Sequence, residues 1–280
     1  MNNETALKEL VKAKYSEIAA QDRDVNASSC CGATACCTGD EVYNIMADDY
    51  TSLEGYNKDA DLGLGCGLPT QYAQIKEGDT VIDLGSGAGN DAFVARRITG
   101  EKGKVIGVDF SEPMLNKARA NADKMGYNNV EFRQGDIEQL PIGDSTADVV
   151  ISNCVLNLVP NKKAVFAEIM RVLKTGGHFS ISDIVLAGQL PQKLQKAAEM
   201  YAGCVSGAIQ KEEYLQLIKQ TGFTNIQLQK EKEIHIPDEI LLQYLTAAEL
   251  EEMKIEKPGI YSITVYAEKS TCCQPGTGCC

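Results

Sequence analysis

The stretch that most constrains this chain is Val81-Ile82-Asp83-Leu84-Gly85-Ser86-Gly87-Ala88-Gly89-Asn90-Asp91. A short apolar run breaks after Asp83 into a loop with glycine at three alternate positions, and a helical pattern begins just beyond. This is the strand, tight turn and helix of a nucleotide-binding first βα unit. Glycine admits positive φ and lets backbone approach a ligand where a Cβ would clash. A second apolar run, Lys104 to Val108, ends beside Asp109, twenty residues past Gly89. A carboxylate there can accept hydrogen bonds from both hydroxyls of a ribose.

The loop reads G-x-G-x-G rather than the G-x-G-x-x-G of dinucleotide sites, which favours a ligand without pyrophosphate. S-adenosylmethionine, with adenosine and no phosphate, fits that description. A glycine loop alone also suits a bare turn; Asp109 at this offset argues for the ligand. On these residues the segment resembles the cofactor half of a class I S-adenosylmethionine-dependent methyltransferase.

The rest of the chain is consistent with that resemblance. Thr5 to Ala20 reads as a helix, a second short helix can follow Asp40, and Pro69 can open one helical turn. From Thr80, strands at 80–84, 104–108, 130–133, 147–152 and 178–185 alternate with helices at 90–98, 111–126 and 162–173. Alternation of this kind implies a parallel sheet with helices on both faces. Helices are expected at 191–202, 211–221 and 238–253, and strands at 223–236 and 260–268. The last two strands lack a crossover helix of the earlier type and are expected to pair antiparallel. The expected fold is an α/β, class I Rossmann-like methyltransferase: a seven-stranded, mostly parallel sheet plus N- and C-terminal cysteine-bearing segments. Residues 1–68 form a helix and cysteine-rich substrate segment, and 69–187 the cofactor-binding domain. Residues 188–269 complete the sheet and cap the substrate site, and 270–280 form a cysteine-rich tail.

In open parallel sheets, ligands lie beyond the carboxyl ends of the strands. After the first strand come Asp83, Gly85, Ser86 and Gly87; after the second, Asp109 and Phe110, with Met114 one turn on as an apolar wall for adenine. After the third come Asp136, placed for the adenine amino group, and Ile137, placed to cover a ring face. After the fourth come Asn153 and Cys154. Taken singly, Met114 suits a core position and Asp136 a turn; their succession after consecutive strands favours a cofactor site.

The formal net charge of -12 argues against nucleic acid, because no basic stripe stands out to neutralise phosphates. No run is long and apolar enough to span a bilayer, and residues 1–20 do not read as a signal peptide. A cytoplasmic, monomeric protein is expected. Eleven cysteines against two histidines, in a reducing compartment, point to thiolate metal binding or catalysis rather than a disulfide framework.

Three cysteines stand outside the vicinal pairs: Cys66, Cys154 and Cys204. Cys154 closes the fourth strand, next to the expected sulfonium; Cys66 precedes the first strand; Cys204 follows the fifth. Buried cysteine is commonly a small apolar residue, but three around one cleft suit a soft, thiophilic centre. Zinc prefers a closed tetrahedron of four ligands, which would not accept a methyl group. Trivalent arsenic takes three thiolates and keeps a lone pair that can attack a sulfonium methyl without a general base.

Gly65-Cys66-Gly67, Ile151-Ser152-Asn153-Cys154-Val155-Leu156-Asn157-Leu158 and Tyr201-Ala202-Gly203-Cys204-Val205-Ser206-Gly207-Ala208, with the glycine loop, resemble the arsenite S-adenosylmethionine methyltransferases over residues 30 to 268. The resemblance implies that Cys66, Cys154 and Cys204 hold As(III). It further implies that an earlier cysteine, best matched by Cys36 with Cys30, Cys31 and Cys37 close by, restores the trivalent state by thiol–disulfide chemistry. A thiol reductant, glutathione or thioredoxin, would be co-substrate, and arsenite would arrive as a thiol conjugate. The vicinal pairs at 30–37 and 272–280 read as auxiliary thiol traps, adventitious soft-metal sites or a structural zinc site. Two other readings remain open on the residues: a carbon methyltransferase of the quinone-biosynthesis type, and a non-catalytic metalloid-binding protein.

Overall fold

The structure is a computed structural model describing residues 3–19, 48–188, 205, 207–235, 238–242, 245–256 and 258–271. The expected helices after Asp40 and at 191–202, together with Cys30, Cys31, Cys36, Cys37, Cys204 and the tail cysteines, lie outside those residues.

Seven strands form one sheet: β1 Thr80–Leu84, β2 Lys104–Asp109, β3 Val130–Gln134, β4 Ala147–Asn153, β5 Leu173–Ala187, β6 Thr224–Glu233 and β7 Gly259–Glu268. Their order is β3-β2-β1-β4-β5-β7-β6. The first five are parallel, while β7 runs antiparallel to both β5 and β6. The antiparallel pairing expected of the last two strands is present, with β7 inserted inside the sheet and β6 at its edge. The edge strand carries two register shifts and alternates Lys230, Glu231, Lys232 and Glu233; bulges and charge both discourage pairing with another chain.

The helices are α1 Asn3–Ala19, α2 Pro69–Tyr72, α3 Asn90–Thr99, α4 Glu112–Met125, α5 Lys162–Val172, α6 Lys211–Thr221, α7 Asp238–Leu241 and α8 Ala247–Glu256, counting only the described residues. Their ends follow local chemistry. Asn161 accepts a hydrogen bond from the Ala164 amide at the start of α5. Gly126 ends α4 in the left-handed region, its N–H returning to the carbonyls of Ala122 and Asp123. The single helix expected over 238–253 is two. Thr246 and Glu249 form a reciprocal capping box that starts α8 afresh. Strand β5 begins at Leu173, ahead of the expected 178, because Gly176 and Gly177 both bond the main chain of Lys269; its pairing with β4 shifts register there, with Gly176 at φ +79°.

The alternation of β-strand side chains separates two cores. Ile82, Leu84, Ile106, Val108 and Val150 pack against α5 and α6 through Phe166 and Tyr214. Val81, Val105, Val149 and Ile151 face the other way, onto Phe93 of α3 and Met114 and Leu115 of α4. Ile18 brings α1 into that second core. Its burial is worth about 2 kcal/mol, more than the part-exposed Lys8–Asp136 ion pair of the same helix, for which about 1 kcal/mol is an upper figure. Apolar docking therefore holds α1 against α4. Among the described residues no helix is long and apolar enough to cross a membrane.

Candidate functional site

The glycine loop sits on the carboxyl ends of β1 and β2. The amides of Gly85 and Ser86 donate to the Val108 carbonyl. Asp109, the last residue of β2, then ties the loop to α4. Its Oδ2 accepts from the Gly87 amide at 2.9 Å and its Oδ1 from the Ser111 amide at 2.8 Å. Gly87 has φ +50°, and a Cβ built there meets nothing within 4 Å. That side of the loop opens onto a cleft.

Asp83, Gly85, Ser86, Gly87, Asp109, Phe110, Met114, Asn153 and Cys154 line this cleft together. Sequence reasoning named all of them as site residues. Asn90 and Asp91 from the first turn of α3, and Asp61, Tyr50 and Tyr15, also line the cleft and carry no role in that reading. Asn90 and Asp91 directly follow the last loop glycine, so adjacency was their available signal. Tyr15 comes from a helix and Tyr50 and Asp61 from an irregular stretch, and no local pattern marks any of them.

The chemistry of the lining is one-sided. Four carboxylates, from Asp61, Asp83, Asp91 and Asp109, face it, and no Lys, Arg or His is among the described lining residues. Such a wall suits a cation and repels phosphate. Three buried oxygens of lining residues, Asp83 Oδ2, Ser86 Oγ and Asn90 Oδ1, have no hydrogen-bond partner among the described residues. Buried acceptors are normally paired, and these are available to an ammonium group or to hydroxyls. Phe110 and Met114 supply an apolar wall. The set fits S-adenosylmethionine: acceptors for its hydroxyls and ammonium, negative charge for its sulfonium, and nothing to pair a pyrophosphate.

Burial pushes the Asp83 carboxyl well above the usual range, and the charges of Asp91 and Asp109 push it further. Burial raises Asp91 to about 6, although hydrogen bonds from Asn153 and Tyr50 oppose the rise. Asp109 is raised by burial and partly restored by the Ser111, Gly87 and Phe110 amides. Burial and the Asp91 charge keep the Tyr50 phenol protonated, so it donates to Asp91 at 2.9 Å. Carboxylates crowded this way lower the stability of the ligand-free protein and await a counter-charge.

Beyond the cleft, Cys66 and Cys154 are buried in one apolar cluster with Ile184, Leu186, Val205, Ile234 and Ile260. Cys154 also borders the cleft itself. It holds φ +62°, uncommon for a residue with a side chain, while its amide donates to the Ser182 carbonyl at 2.8 Å. Strain of this kind gathers where a side chain must be aimed. Cys204 lies outside the described residues; its neighbour Val205 belongs to the cluster. Cys36 is also outside. Among the described residues no group of three or more His, Cys, Asp or Glu is arranged to hold a metal ion.

Asp136 and Ile137 do not join the other site residues. Asp136 pairs with Lys8 of α1 at 2.6 Å, and Lys8 also bonds Glu138. Ile137 is buried in the core beneath β1 and β2. The reason is tertiary: α1 crosses this end of the sheet and supplies a cation to the loop after β3.

A methyltransferase domain family matches residues 75–222. The chain is 38% identical over 267 residues to an arsenite methyltransferase of Halobacterium salinarum, covering 88% of this chain and 66% of that protein. It is 32% identical over 244 residues to an arsenite methyltransferase of Aquipseudomonas alcaligenes, covering 85% and 68%. The chain thus spans about two thirds of the length of these relatives. The crystal structure of an arsenic(III) S-adenosylmethionine methyltransferase from Chlamydomonas reinhardtii superposes with TM-score 0.62 at 38% identity, covering 76% of this chain and 68% of that one.

Proposed function

The chain belongs to the arsenite methyltransferase family, and from that membership we propose that it methylates trivalent arsenic held as thiolates, with S-adenosylmethionine as methyl donor. The observation that carries this reading is the burial of Cys66 and Cys154 in one apolar cluster, with Cys154 also on the wall of the acidic cleft. This supports reading both cysteines as sulfur ligands for a soft centre, with Cys154 at the edge of the cofactor site and Cys66 in the cluster behind it. The reading makes Cys204 the third ligand, supported by the place of Val205 in the same cluster.

The bound cofactor supplies an electrophilic methyl group on a sulfonium. The protein's own residues do the rest. Asp83, Asn90 and Asp91 receive the ammonium end, Asp109 the ribose hydroxyls, and Phe110 and Met114 cover the adenine. The aliphatic residues around Cys66 and Cys154 would exclude water from the arsenic; methyl transfer to its lone pair passes the positive charge from sulfur to arsenic and spreads it over both in the transition state, which a dry site favours. Arsenic presents its own lone pair, so the thiols need only hold and orient it.

Finer parts of the proposal rest on cysteine chemistry. Cys36 serves thiol–disulfide exchange that returns arsenic to the trivalent state, at the expense of glutathione or thioredoxin. Working thiols require a reducing compartment, so the compartment proposed is the cytoplasm and the role detoxification. Among the described residues the exposed large apolar ones, Ile98, Leu228 and Leu242, come from separate segments of the chain, which supports reading the protein as a monomer.

The test is incubation with methyl-labelled S-adenosylmethionine, thiol and arsenite. Label in arsenic species supports the reading. Arsenic binding without label transfer would leave a metalloid-binding protein, and turnover independent of arsenite would leave a carbon methyltransferase.

Cofactor affinity is expected to depend on pH through Asp91. A cation binds the ionised carboxylate better, so affinity falls as protons are added. With the carboxyl at about 6, its ionised fraction drops from about 90% at pH 7 to about 10% at pH 5, and affinity weakens by up to roughly tenfold. Calorimetric titration at both values checks this; a constant Kd would remove Asp91 from the cation site.

A further inference from the structure

The Cys66 segment reaches its position through one side chain. Asn153 Oδ1 accepts from the amides of Cys66 at 3.0 Å and Gly67 at 3.3 Å. Its Nδ2 faces the Gly67 carbonyl at 2.9 Å, Asp91 Oδ2 at 3.1 Å and the Tyr50 hydroxyl at 2.5 Å. The contacts to backbone and carboxylate have a defined sense. The two amides can only donate, and the carbonyl and carboxylate can only accept. Rotating the amide end over end would turn each of these bonds into a repulsion. The neighbours are fitted to it: a Cβ at Gly65 would come within 2.6 Å of Asn153 Nδ2, and one at Gly67 within 2.5 Å of Ser182 Oγ. Gly65 therefore leaves room for the Asn153 side chain, and Gly67 lets the segment lie against Ser182 of β5. From behind, Ser262 Oγ donates to the Cys66 carbonyl at 2.5 Å.

Asn153 is also the residue before Cys154, so consecutive Cα atoms about 3.8 Å apart connect the clamp to the second thiol. The backbone of one cysteine is thus fastened to the residue that precedes the other, while the same Nδ2 touches a cleft carboxylate. We propose that Asn153 is a positioning residue that holds Cys66 in register with Cys154 for arsenic capture, through a hydrogen-bond pattern that requires a donor facing Asp91 and Gly67. This rests on the proposed thiol site.

Asn153→Asp tests the pattern without changing shape. In its ionised form the variant side chain keeps the acceptor for both amides but sets negative charge against Asp91 and the Gly67 carbonyl. Two carboxylates at this distance share a proton readily. Once protonated, the variant regains a donor. The background is the full-length chain with Cys30, Cys31, Cys36, Cys37, Cys272, Cys273, Cys279 and Cys280 replaced by serine, so that vicinal pairs do not compete. The probe is phenylarsine oxide without cofactor: two thiols add to the arsenic, its oxygen leaves as water, and two As–S bonds replace As=O.

Asn153→Asp is expected to bind the probe at least about tenfold more weakly than its parent at pH 8.5, and within about threefold of it at pH 6, the tenfold corresponding to loss of one charge-sensitive hydrogen-bond set. Asn153→Leu, which has no donor at any pH, stays weak at both. Parental affinity in Asn153→Asp at both values overturns the inference. An equal loss at both values also overturns it, since that is the mark of a merely disturbed fold. If the parent itself does not take up one equivalent, the thiol site fails, and this inference fails with it.

Discussion

Replacing Cys154 by serine is expected to abolish arsenite methylation while S-adenosylmethionine still binds. The oxygen is a hard ligand and a poor partner for As(III). The loss should exceed roughly 1000-fold, because the substrate is no longer held against the reacting methyl. The backbone that aims residue 154 is set by φ +62° and the hydrogen bond to the Ser182 carbonyl, and neither depends on sulfur. Cys66→Ser should behave alike, since the Asn153 and Ser262 contacts grip the main chain of residue 66 rather than its thiol. Single-turnover methylation beside a cofactor titration separates the two functions. Substantial turnover in either variant would remove that cysteine from the substrate site.

Asp83→Asn should move stability and cofactor affinity in opposite directions. Asp83 is fully buried beside Asp91 and Asp109, and Oδ2 has no hydrogen-bond partner among the described residues. Amide for carboxylate keeps the shape and removes the repulsion. A buried acid raised above its unfolded value stabilises the protein fully only below that unfolded value, and the benefit is lost as pH rises through the folded value. The variant should therefore melt higher than the parent at pH 8, with the difference shrinking toward pH 5. Cofactor affinity should fall roughly 10- to 100-fold, the weight of a charge-assisted hydrogen bond of about 1.5–3 kcal/mol. Thermal melts with and without S-adenosylmethionine read both effects. Unchanged affinity would show that Asp83 does not meet the ammonium group, whatever the Tm does.

These opposed effects explain why part of the site was legible in sequence. A carboxylate at the end of an apolar strand violates the local pattern, and such violations gather at functional sites. Asp83 and Asp109 announce themselves in this way, and the alternate glycines mark the loop between them. Asp136 rests on a weaker signal, its place in the loop after the third strand, and does not line the cleft; its partner is Lys8, 128 residues away. No window around Asp136 contains that information. Tyr50, Asp61 and Tyr15 were invisible for the converse reason: they reach the cleft from segments without a motif of their own.

The fold divides along the same line. The apolar runs of β1, β2 and β4 and the 3.6-residue pattern of the helices between them are local properties, so their bounds agree closely with expectation. The break between α7 and α8 came from a capping box whose Thr and Glu are visible in sequence but whose effect depends on both termini being in place.

By itself, the order of residues settled the alternating strands and helices, the glycine loop with its flanking acids, and the supply of thiols, since each depends on neighbours within a turn or a strand. Only the tertiary structure decided which of those groups meet. The juxtaposition of Cys66 with Cys154, 88 positions apart, and the clamp of Asn153 on the Cys66 backbone arise where separate strands and loops share one end of the sheet. Contacts at that range are made by packing and hydrogen-bond geometry, which the linear pattern does not encode one residue at a time.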